Sequence, residues 1–409
     1  MLVSALAVAG GASAFFWCAY STTEHPVRQT YITAPGGSAE ILFAGDIHFA
    51  EDYFARREHW QARNVLERFG YEYPMAKLKA LVHSTDLVVA NLETPLSKKA
   101  KGAEGFGSMK YLHWTNPQSV LPVLSAFNLG AVNLANNHIL DAGIPGFRET
   151  TDRLSRTGIA SFGAGMNESE ASEPYRIEID FGSSVLRVAV LAGYWYRASY
   201  DEKHNLYAEN ESPGVRRLRK KDLVRQIKAL KNNDPELYII VFPHWGRNYR
   251  WIIDEQVRMA HALIEAGADM VIGQGAHHFQ EIERYCRRWI IYNLGNFMFL
   301  TPGLFERNEA HPYSLAARIS LSRDDARGDA DIEAQVRLYV LYGDNRKSDL
   351  QTYVVSGDAF SEAVALLREA SLKIPDNNFE LVEGQDEVGS YLHLCPAQME
   401  ALPQAEQGS

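Results

Sequence analysis

The stretch EILFAGDIH (residues 40–48) indicates the fold of this chain most directly. A short apolar run ends at Gly45, and a carboxylate and an imidazole, on Asp46 and His48, follow it at once. Such a run has the length and the boundary of a buried β-strand. Because side chains two residues apart in extended backbone point to the same side, Asp46 and His48 are able to meet one ligand at the strand end.

Six further apolar runs follow, and amphipathic segments with helical spacing lie between most of them. The runs are DLVVANLE (86–93), GAVNLANNH (130–138), LRVAVLAG (186–193), LYIIVFPH (237–244), ADMVIG (268–273) and RWIIYNLGNF (288–297). Strands that alternate with helices predict an α/β fold. Two later runs (312–322 and 331–343) alternate as strands do without an intervening helix, which predicts added antiparallel strands. We therefore expect a four-layer α-β-β-α sandwich over residues 38–345, with two packed sheets and helices outside.

Bulk composition places the chain among ordinary globular proteins. Hydrophobic residues make up 46% of its 409 residues and charged residues 22%, which is enough apolar material for a large core. The net charge of -10 argues against a nucleic-acid partner, because binding to a phosphate backbone needs a basic surface. The cysteines Cys18, Cys286 and Cys395 match no zinc motif, and whether Cys286 pairs with Cys395 stays open.

The two ends of the chain differ from its middle. Residues 1–22 begin with a stretch free of charged side chains and predict a signal peptide or a membrane anchor; a wrongly assigned start or a buried segment is the alternative. The expected location is therefore the cell envelope, by export or by membrane anchoring. Residues 23–37 are polar and contain Pro and Gly, as linkers do. Residues 346–409 predict a C-terminal helix followed by a weakly patterned tail.

Side chains that can bind a metal ion lie at the ends of several predicted strands, where ligand sites of α/β sheets gather. They are Asp46, His48, Glu93, Asn137, His138, His244 and His277. Carboxylate, amide and imidazole ligands without a thiolate suit Zn, Mn or Fe and argue against a structural zinc site. Each residue alone has an ordinary explanation as a turn or core polar residue. Their joint placement at strand ends favours a metal site.

Several motifs occur in a fixed order between about residues 40 and 300. They are GDIH, DLVVANLETPLS, LANNHILDAG, PHWG, QVRMAHALIEAGADMVIG, AHHFQEIE and IIYNLGNF. Together they resemble the CapA family of bacterial capsule or poly-gamma-glutamate synthesis proteins, which belongs to the calcineurin-like metallophosphoesterase superfamily. The resemblance implies a metallophosphoesterase-like sandwich that binds one or two divalent metal ions.

The resemblance also implies a role for each site residue. The implied metal ligands are Asp46, His48, Glu93, Asn137, His244 and His277. Asp46 would bridge two ions, and His244 would join the second ion while His277 joins the first. His138 would be the catalytic residue that stabilises or protonates the leaving group without binding metal. Asp141, three residues later, would orient its imidazole.

Two departures from the family pattern concern the last motifs. One imidazole of the superfamily, expected near position 274 or 275, is missing. Gln274 can offer a neutral amide oxygen, a weaker ligand that would hold the second ion loosely. After PHWG, Asn248 replaces an acidic residue and Arg247 adds a positive charge. Arg247 is therefore a candidate for binding an anionic substrate, with a solvated loop arginine as the alternative.

Three functions fit these features. The first is a metal-dependent hydrolase or phosphoesterase of the bacterial cell envelope. The second is a non-catalytic accessory protein for making, exporting or anchoring an anionic capsule polymer such as poly-gamma-glutamate, together with membrane proteins of capsule synthesis. The third is a soluble nucleotidase-like phosphatase, which the apolar leader disfavours. We favour a capsule-polymer biosynthesis protein with a metallophosphoesterase-like site, because fold alone does not determine activity.

Overall fold

The apolar runs form strands in the computed structural model, which describes residues 28–51, 64–97, 112–300, 303–323 and 332–397. In chain order the strands are β1 (Gln29–Thr33), β2 (Ser38–His48), β3 (Leu87–Leu92), β4 (Leu129–Asn133), β5 (Ala160–Phe162), β6 (Ala164–Gly165), β7 (Tyr175–Asp180), β8 (Val185–Trp195), β9 (Gly214–Val215), β10 (Arg217–Leu218), β11 (Tyr238–His244), β12 (Met270–Ile272), β13 (Ile282–Tyr285), β14 (Arg288–Ile291), β15 (Asn296–Phe299), β16 (Tyr313–Arg323), β17 (Ile332–Tyr342), β18 (Tyr353–Val354), β19 (Phe379–Gln385) and β20 (Ser390–Pro396). The helices are α1 (Val65–Phe69), α2 (Lys79–His83), α3 (Pro117–Ala126), α4 (Gly143–Arg156), α5 (Glu168–Ser172), α6 (Ala198–His204), α7 (Lys220–Asn233), α8 (Asp254–Glu265), α9 (Leu304–Arg307) and α10 (Gly357–Ser371), with a 3-10 helix at Tyr73–Leu78.

The strands form two large sheets whose central strands run parallel. The first sheet has the order β1-β7-β8-β11-β12-β14-β13, and the second has the order β19-β20-β17-β16-β2-β3-β4-β5 with β15 beside β2. Strands β8, β11, β12 and β14 are parallel to one another, as are β2, β3, β4 and β5. The later strands β16 and β17 pair antiparallel, as the sequence predicts. The carboxyl ends of the parallel strands therefore meet at one edge of each sheet.

The two sheets pack face to face, and helices cover their outer faces. Phe43 of β2 and Phe242 of β11 meet edge to face across the sheet interface, with ring centroids 5.4 Å apart. On the first sheet, Leu223 and Ile227 of α7 pack with Leu263 of α8 against the outer side chains of β11. Helices α3 and α4 pack against β4 and β5 of the second sheet. This arrangement confirms the predicted four-layer α/β sandwich.

Both chain ends contribute strands that the sequence analysis did not predict. Residues 29–33, expected in a linker, form β1, which pairs in parallel with β7 and buries Ile32. Residues 379–396, expected in a loose tail, form the hairpin β19–β20, which extends the second sheet beyond β17. The sheet therefore continues past the predicted domain end at 345. Both segments are too short and too polar for their strand pattern to be recognised from the sequence. Pairing with a formed sheet supplies most of their stability.

The predictions about the leader and the cysteines depend on residues of which the structure describes only some. The predicted leader, residues 1–22, lies outside the described residues, and so does Cys18. Among the described ranges, no helix has the length and apolar character needed to cross a membrane. Cys286 and Cys395 are both free thiols in the structure.

Gly45 is the position at which β2 most closely approaches the neighbouring chain. A Cβ atom there would lie 1.7 Å from the carbonyl oxygen of Gly295, to which the Asp46 N–H donates a hydrogen bond of 3.0 Å. We expect Gly45→Ala to lower the free energy of unfolding by about 1–3 kcal/mol, because backbone atoms must move apart to admit the Cβ atom. Urea unfolding of the variant measures this. Gly36→Ala is the matched control, since a Cβ there meets nothing within 4 Å; equal stability of both variants would contradict the prediction.

Candidate metal centre

Four of the predicted ligands come from both sheets and meet where the parallel strands end. Asp46 lies near the end of β2 and Glu93 directly follows β3, whereas His244 ends β11 and His277 follows β12. Ligand atoms of Asp46, Glu93 and His244 all lie within 4.8 Å of one another. His277 Nδ1 is 3.5 Å from Asp46 Oδ2. Of these four residues, the two carboxylates come from the second sheet and the two imidazoles come from the first.

The Asp46 carboxylate is fully buried at the centre of this group. Its Oδ1 accepts a hydrogen bond of 2.9 Å from Asn91 Nδ2, and burial nevertheless raises the pKa of Asp46 to about 7. Its Oδ2 has no hydrogen-bond partner of normal geometry within the described part of the chain. A buried carboxylate oxygen without a donor is costly unless a cation is close.

Glu93 is the second buried carboxylate of the site. Its Oε1 lies 3.9 Å from Nε2 of His138 and 4.0 Å from Nε2 of His244. Its Oε2 is buried, and no described residue donates a hydrogen bond to it. Burial, with added repulsion from Asp46 and Asp141, raises the pKa of Glu93 well above its usual value. Each of the two adjacent carboxylates thus has one buried oxygen to which no described residue donates, and a nearby cation would stabilise both.

The imidazoles of His244 and His277 are held in the neutral form that binds metals. Burial, with a smaller effect of His277, holds the pKa of His244 well below its usual value. Burial also lowers the pKa of His277 to about 4. Nδ1 of His277 donates to Asn296 Oδ1 at 3.0 Å, so its Nε2 carries the lone pair.

Gln274 contacts a predicted ligand. Its Oε1 lies against Nδ1 of His244, and Asn91 Nδ2 lies 3.3 Å from the same nitrogen. One imidazole nitrogen cannot both donate and accept, and the closer contact assigns the proton to Nδ1. Asn91 Nδ2 therefore donates to Asp46 Oδ1 and not to His244. In this arrangement Gln274 positions His244, and its predicted role as a metal ligand stays a prediction.

His138 and Asp141 form a hydrogen-bonded pair beside the carboxylates. Nδ1 of His138 lies 2.7 Å from Oδ2 of Asp141, which is fully buried. The backbone N–H of His138 donates to Asn136 Oδ1 at 3.0 Å. With Nδ1 bound to Asp141, Nε2 of His138 faces Glu93 and the centre of the site. This is the geometry that a proton donor oriented by a carboxylate requires.

His113 belongs to the site and was missed by the sequence analysis. Its ring stacks between those of His48 and His138, with centroid distances of 3.8 Å and 3.6 Å. Its Nδ1 lies 3.1 Å from the Glu93 carbonyl oxygen, and its backbone N–H donates to Asp141 at 2.6 Å. His113 follows no predicted strand, so strand-end reasoning had no signal for it.

The sequence analysis also did not predict two asparagines of the site, Asn91 and Asn136. Asn136 donates from Nδ2 to Asn91 Oδ1 at 3.0 Å and to the Leu92 carbonyl oxygen at 2.9 Å. It therefore joins the ends of β3 and β4 and fixes the amide that holds Asp46. Both residues lie inside motifs quoted from the sequence, and that was the available signal. Asn137, the predicted ligand beside Asn136, is half-buried.

The two remaining predicted residues differ in exposure. His48 is fully buried, and its ring also lies against Phe299 of β15 at 4.8 Å. Arg247 is exposed on the loop after β11 and lines a cleft beside His244.

The residues present fit a divalent metal ion. Asp46 Oδ2 and Glu93 Oε2 are buried oxygens without donors among the described residues, and the nearby imidazoles are neutral. A cation would offset the repulsion between the carboxylates and replace the missing donors. Oxygen and nitrogen ligands of this kind suit Mn, Zn or Fe.

Comparison with known proteins places this chain in a family. Residues 40–301 match the family described as bacterial capsule synthesis protein PGA_cap, and these residues carry all the predicted ligands. The chain belongs to this family. The predicted resemblance to CapA proteins is thereby confirmed.

Several known proteins are similar to this chain at modest sequence identity. The PGA biosynthesis protein CapA of Bacillus subtilis (strain 168) is 26% identical over 70% of this chain and 68% of its own length. A probable polyglutamine synthesis accessory protein of Mycobacterium tuberculosis is 30% identical over 55% of this chain and 59% of its own length. The capsule biosynthesis protein CapA of Bacillus anthracis is 26% identical over 58% of this chain and 56% of its own. The chain thus spans between about half and two thirds of these relatives.

Comparison with solved structures matches this chain to a phosphatase, among others. A phosphatase from Mycoplasma pneumoniae is 13% identical, with a TM-score of 0.36, over 79% of this chain and 98% of that chain. A likeness at this level supports no statement about activity.

Proposed function

We propose that this chain is a capsule-polymer biosynthesis protein whose metal centre hydrolyses a phosphoester or a related bond in the bacterial cell envelope. The observation that carries the proposal is the convergence of two buried carboxylates, each with one oxygen that no described residue donates to, and two neutral imidazoles that end or follow separate strands. The family assignment supports the role in capsule synthesis. The His138–Asp141 pair beside the carboxylates supports hydrolysis rather than metal storage.

The residues divide into ligands and a proton donor. The proposed ligands are Asp46, His48, Glu93, Asn137, His244 and His277, with Gln274 as a weaker one. A divalent ion bound there would polarise a phosphoryl oxygen and lower the pKa of a water molecule. His138 holds a proton at Nε2 and transfers it to the leaving oxygen, while Asp141 stabilises the imidazolium that exists before transfer. The ring of His113 stacks on the ring of His138 and holds it in this orientation.

A second candidate is a non-catalytic accessory role in export or anchoring of an anionic capsule polymer. The name of the Mycobacterium tuberculosis relative, a synthesis accessory protein, favours it. Its proposed partners are the polymer and membrane proteins of capsule synthesis. We also propose export or anchoring through residues 1–22, based on their uncharged apolar run. Fractionation that recovered the full-length chain only from cytosol would contradict that location.

Metal removal and restoration tests the hydrolase. We expect the purified chain to bind one or two divalent ions, to lose turnover of a generic phosphodiester after chelation, and to regain it with Mn, Zn or Fe, because the buried carboxylates need the cation. Elemental analysis and a turnover assay measure this, with Mg as the comparison ion. Stoichiometric metal without turnover for any added ion would refute the hydrolase and favour the accessory role.

A further inference from the structure

A cleft of about 490 Å³ opens beside the metal centre, and Arg197 lies on one of its walls. Its lining residues are Trp195, Arg197, Gly246, Arg247, Asn248 and Glu255, together with Ile253. The walls begin where β8 and β11 end. Tyr194 of β8 is in register with His244 of β11, and their rings lie 5.4 Å apart. The cleft therefore begins within two residues of a proposed metal ligand on one wall.

Hydrogen bonds fix both walls of the cleft. On the β8 side, the Tyr207 hydroxyl donates to the Trp195 carbonyl oxygen at 2.6 Å and accepts from the Arg197 N–H at 2.8 Å. On the β11 side, the Tyr249 N–H donates to the Ala276 carbonyl oxygen at 2.8 Å. This second contact ties the Arg247 loop to the segment that carries His277. Both arginines thus project from backbone whose position is set by contacts near the site.

The charges of the two arginines have no ion-pair partner in the part of the chain that the structure describes. Within the described ranges, neither Arg197 nor Arg247 forms an ion pair, whereas Arg217, close to Arg197 in the fold, pairs with Asp201 and Glu209. A solvated arginine is ordinary when it stands alone. Here two come from separate loops to one cleft in a chain of net charge -10, and only Glu255 opposes them among the lining residues. The cleft is therefore a local cationic surface beside the anionic metal pocket.

We propose that Arg197 and Arg247 together bind an anionic group of the substrate that lies away from the reacting bond, with Trp195 packing against the apolar part of the chain between them. The proposal rests on the proposed function at the adjacent centre. It requires a substrate that carries an anionic group apart from the reacting bond, which an isolated phosphomonoester lacks. Guanidinium groups suit this task because each can form two parallel hydrogen bonds with one carboxylate.

Binding of a defined oligomer tests the proposal directly. The probe is a fluorescein-labelled hexamer of γ-linked glutamate, and the comparison probe is the same hexamer with its free carboxylates converted to amides. We expect Arg197→Gln and Arg247→Gln each to raise the Kd of the acidic hexamer by roughly 10-fold, the low end for charge-assisted hydrogen bonds in a water-exposed cleft. Arg156→Gln, an exposed arginine on α4, is the matched control and should leave the Kd unchanged. Fluorescence anisotropy at two salt concentrations measures the Kd.

The outcomes separate this proposal from the hydrolase. Loss of affinity in both cleft variants but not in Arg156→Gln, with weak binding of the amidated probe, supports the cleft even if no phosphodiester is turned over. Equal affinity of all three variants, or equal affinity for the two probes, overturns it even if the wild-type chain is an active hydrolase.

Discussion

Asp46→Asn should abolish tight metal binding and lower phosphodiester turnover by about 10³-fold or more. Asparagine keeps the size of the side chain and an oxygen that can accept from Asn91, but it removes the charge at the centre of the pocket. Loss of metal-ion catalysis costs several kcal/mol of transition-state stabilisation, and about 1.36 kcal/mol corresponds to a tenfold change in rate.

The same substitution has a second consequence with the opposite sign. Because burial disfavours the Asp46 carboxylate, the metal-free Asp46→Asn variant should unfold at a Tm equal to or above that of the metal-free wild type. Elemental analysis, turnover and thermal unfolding of both proteins after chelation measure the three effects. Asp152→Asn, on the exposed side of α4, is the control and should change none of them. Retained metal and turnover in Asp46→Asn would refute the site.

His138→Gln should lower turnover by about 10²–10⁴-fold while metal content stays nearly unchanged. This range is usual for the loss of a general acid, and His138 meets the site through Nε2 while Nδ1 is held by Asp141. Glutamine is neutral and cannot supply a proton of suitable acidity. Steady-state kinetics and elemental analysis of the same preparation measure the two quantities.

A control and a companion variant separate chemistry from structure. His83→Gln replaces an exposed histidine on α2 and should leave turnover unchanged. Asp141→Asn should reduce turnover as well, and it should also lower Tm, because Asp141 accepts from the His113 backbone as well as from His138. Unchanged turnover in His138→Gln would remove this residue from the mechanism. Loss of metal in His138→Gln would make it a ligand instead.

Local patterns predicted the core strands and the strand ends that carry Asp46, Glu93 and His244. Apolar runs with defined ends and helices between them constrain the fold, because period and length identify each element without reference to its neighbours. The edge strand β1 and the hairpin β19–β20 escaped this reasoning. Both are short, and they are stabilised by pairing with strands far away in the chain.

By itself the sequence determined the α/β class and the gathering of carboxylates and imidazoles at strand ends, because parallel strands bring their carboxyl ends to one edge. Only the tertiary structure determined which groups touch. The stacking of His113 between His48 and His138 joins segments separated in the chain. The contact of Gln274 with His244 and the burial of Asp46 without a donor for Oδ2 likewise arise where the two sheets meet. Hydrogen-bond partners and desolvation depend on distances between remote residues, and no local pattern encodes them.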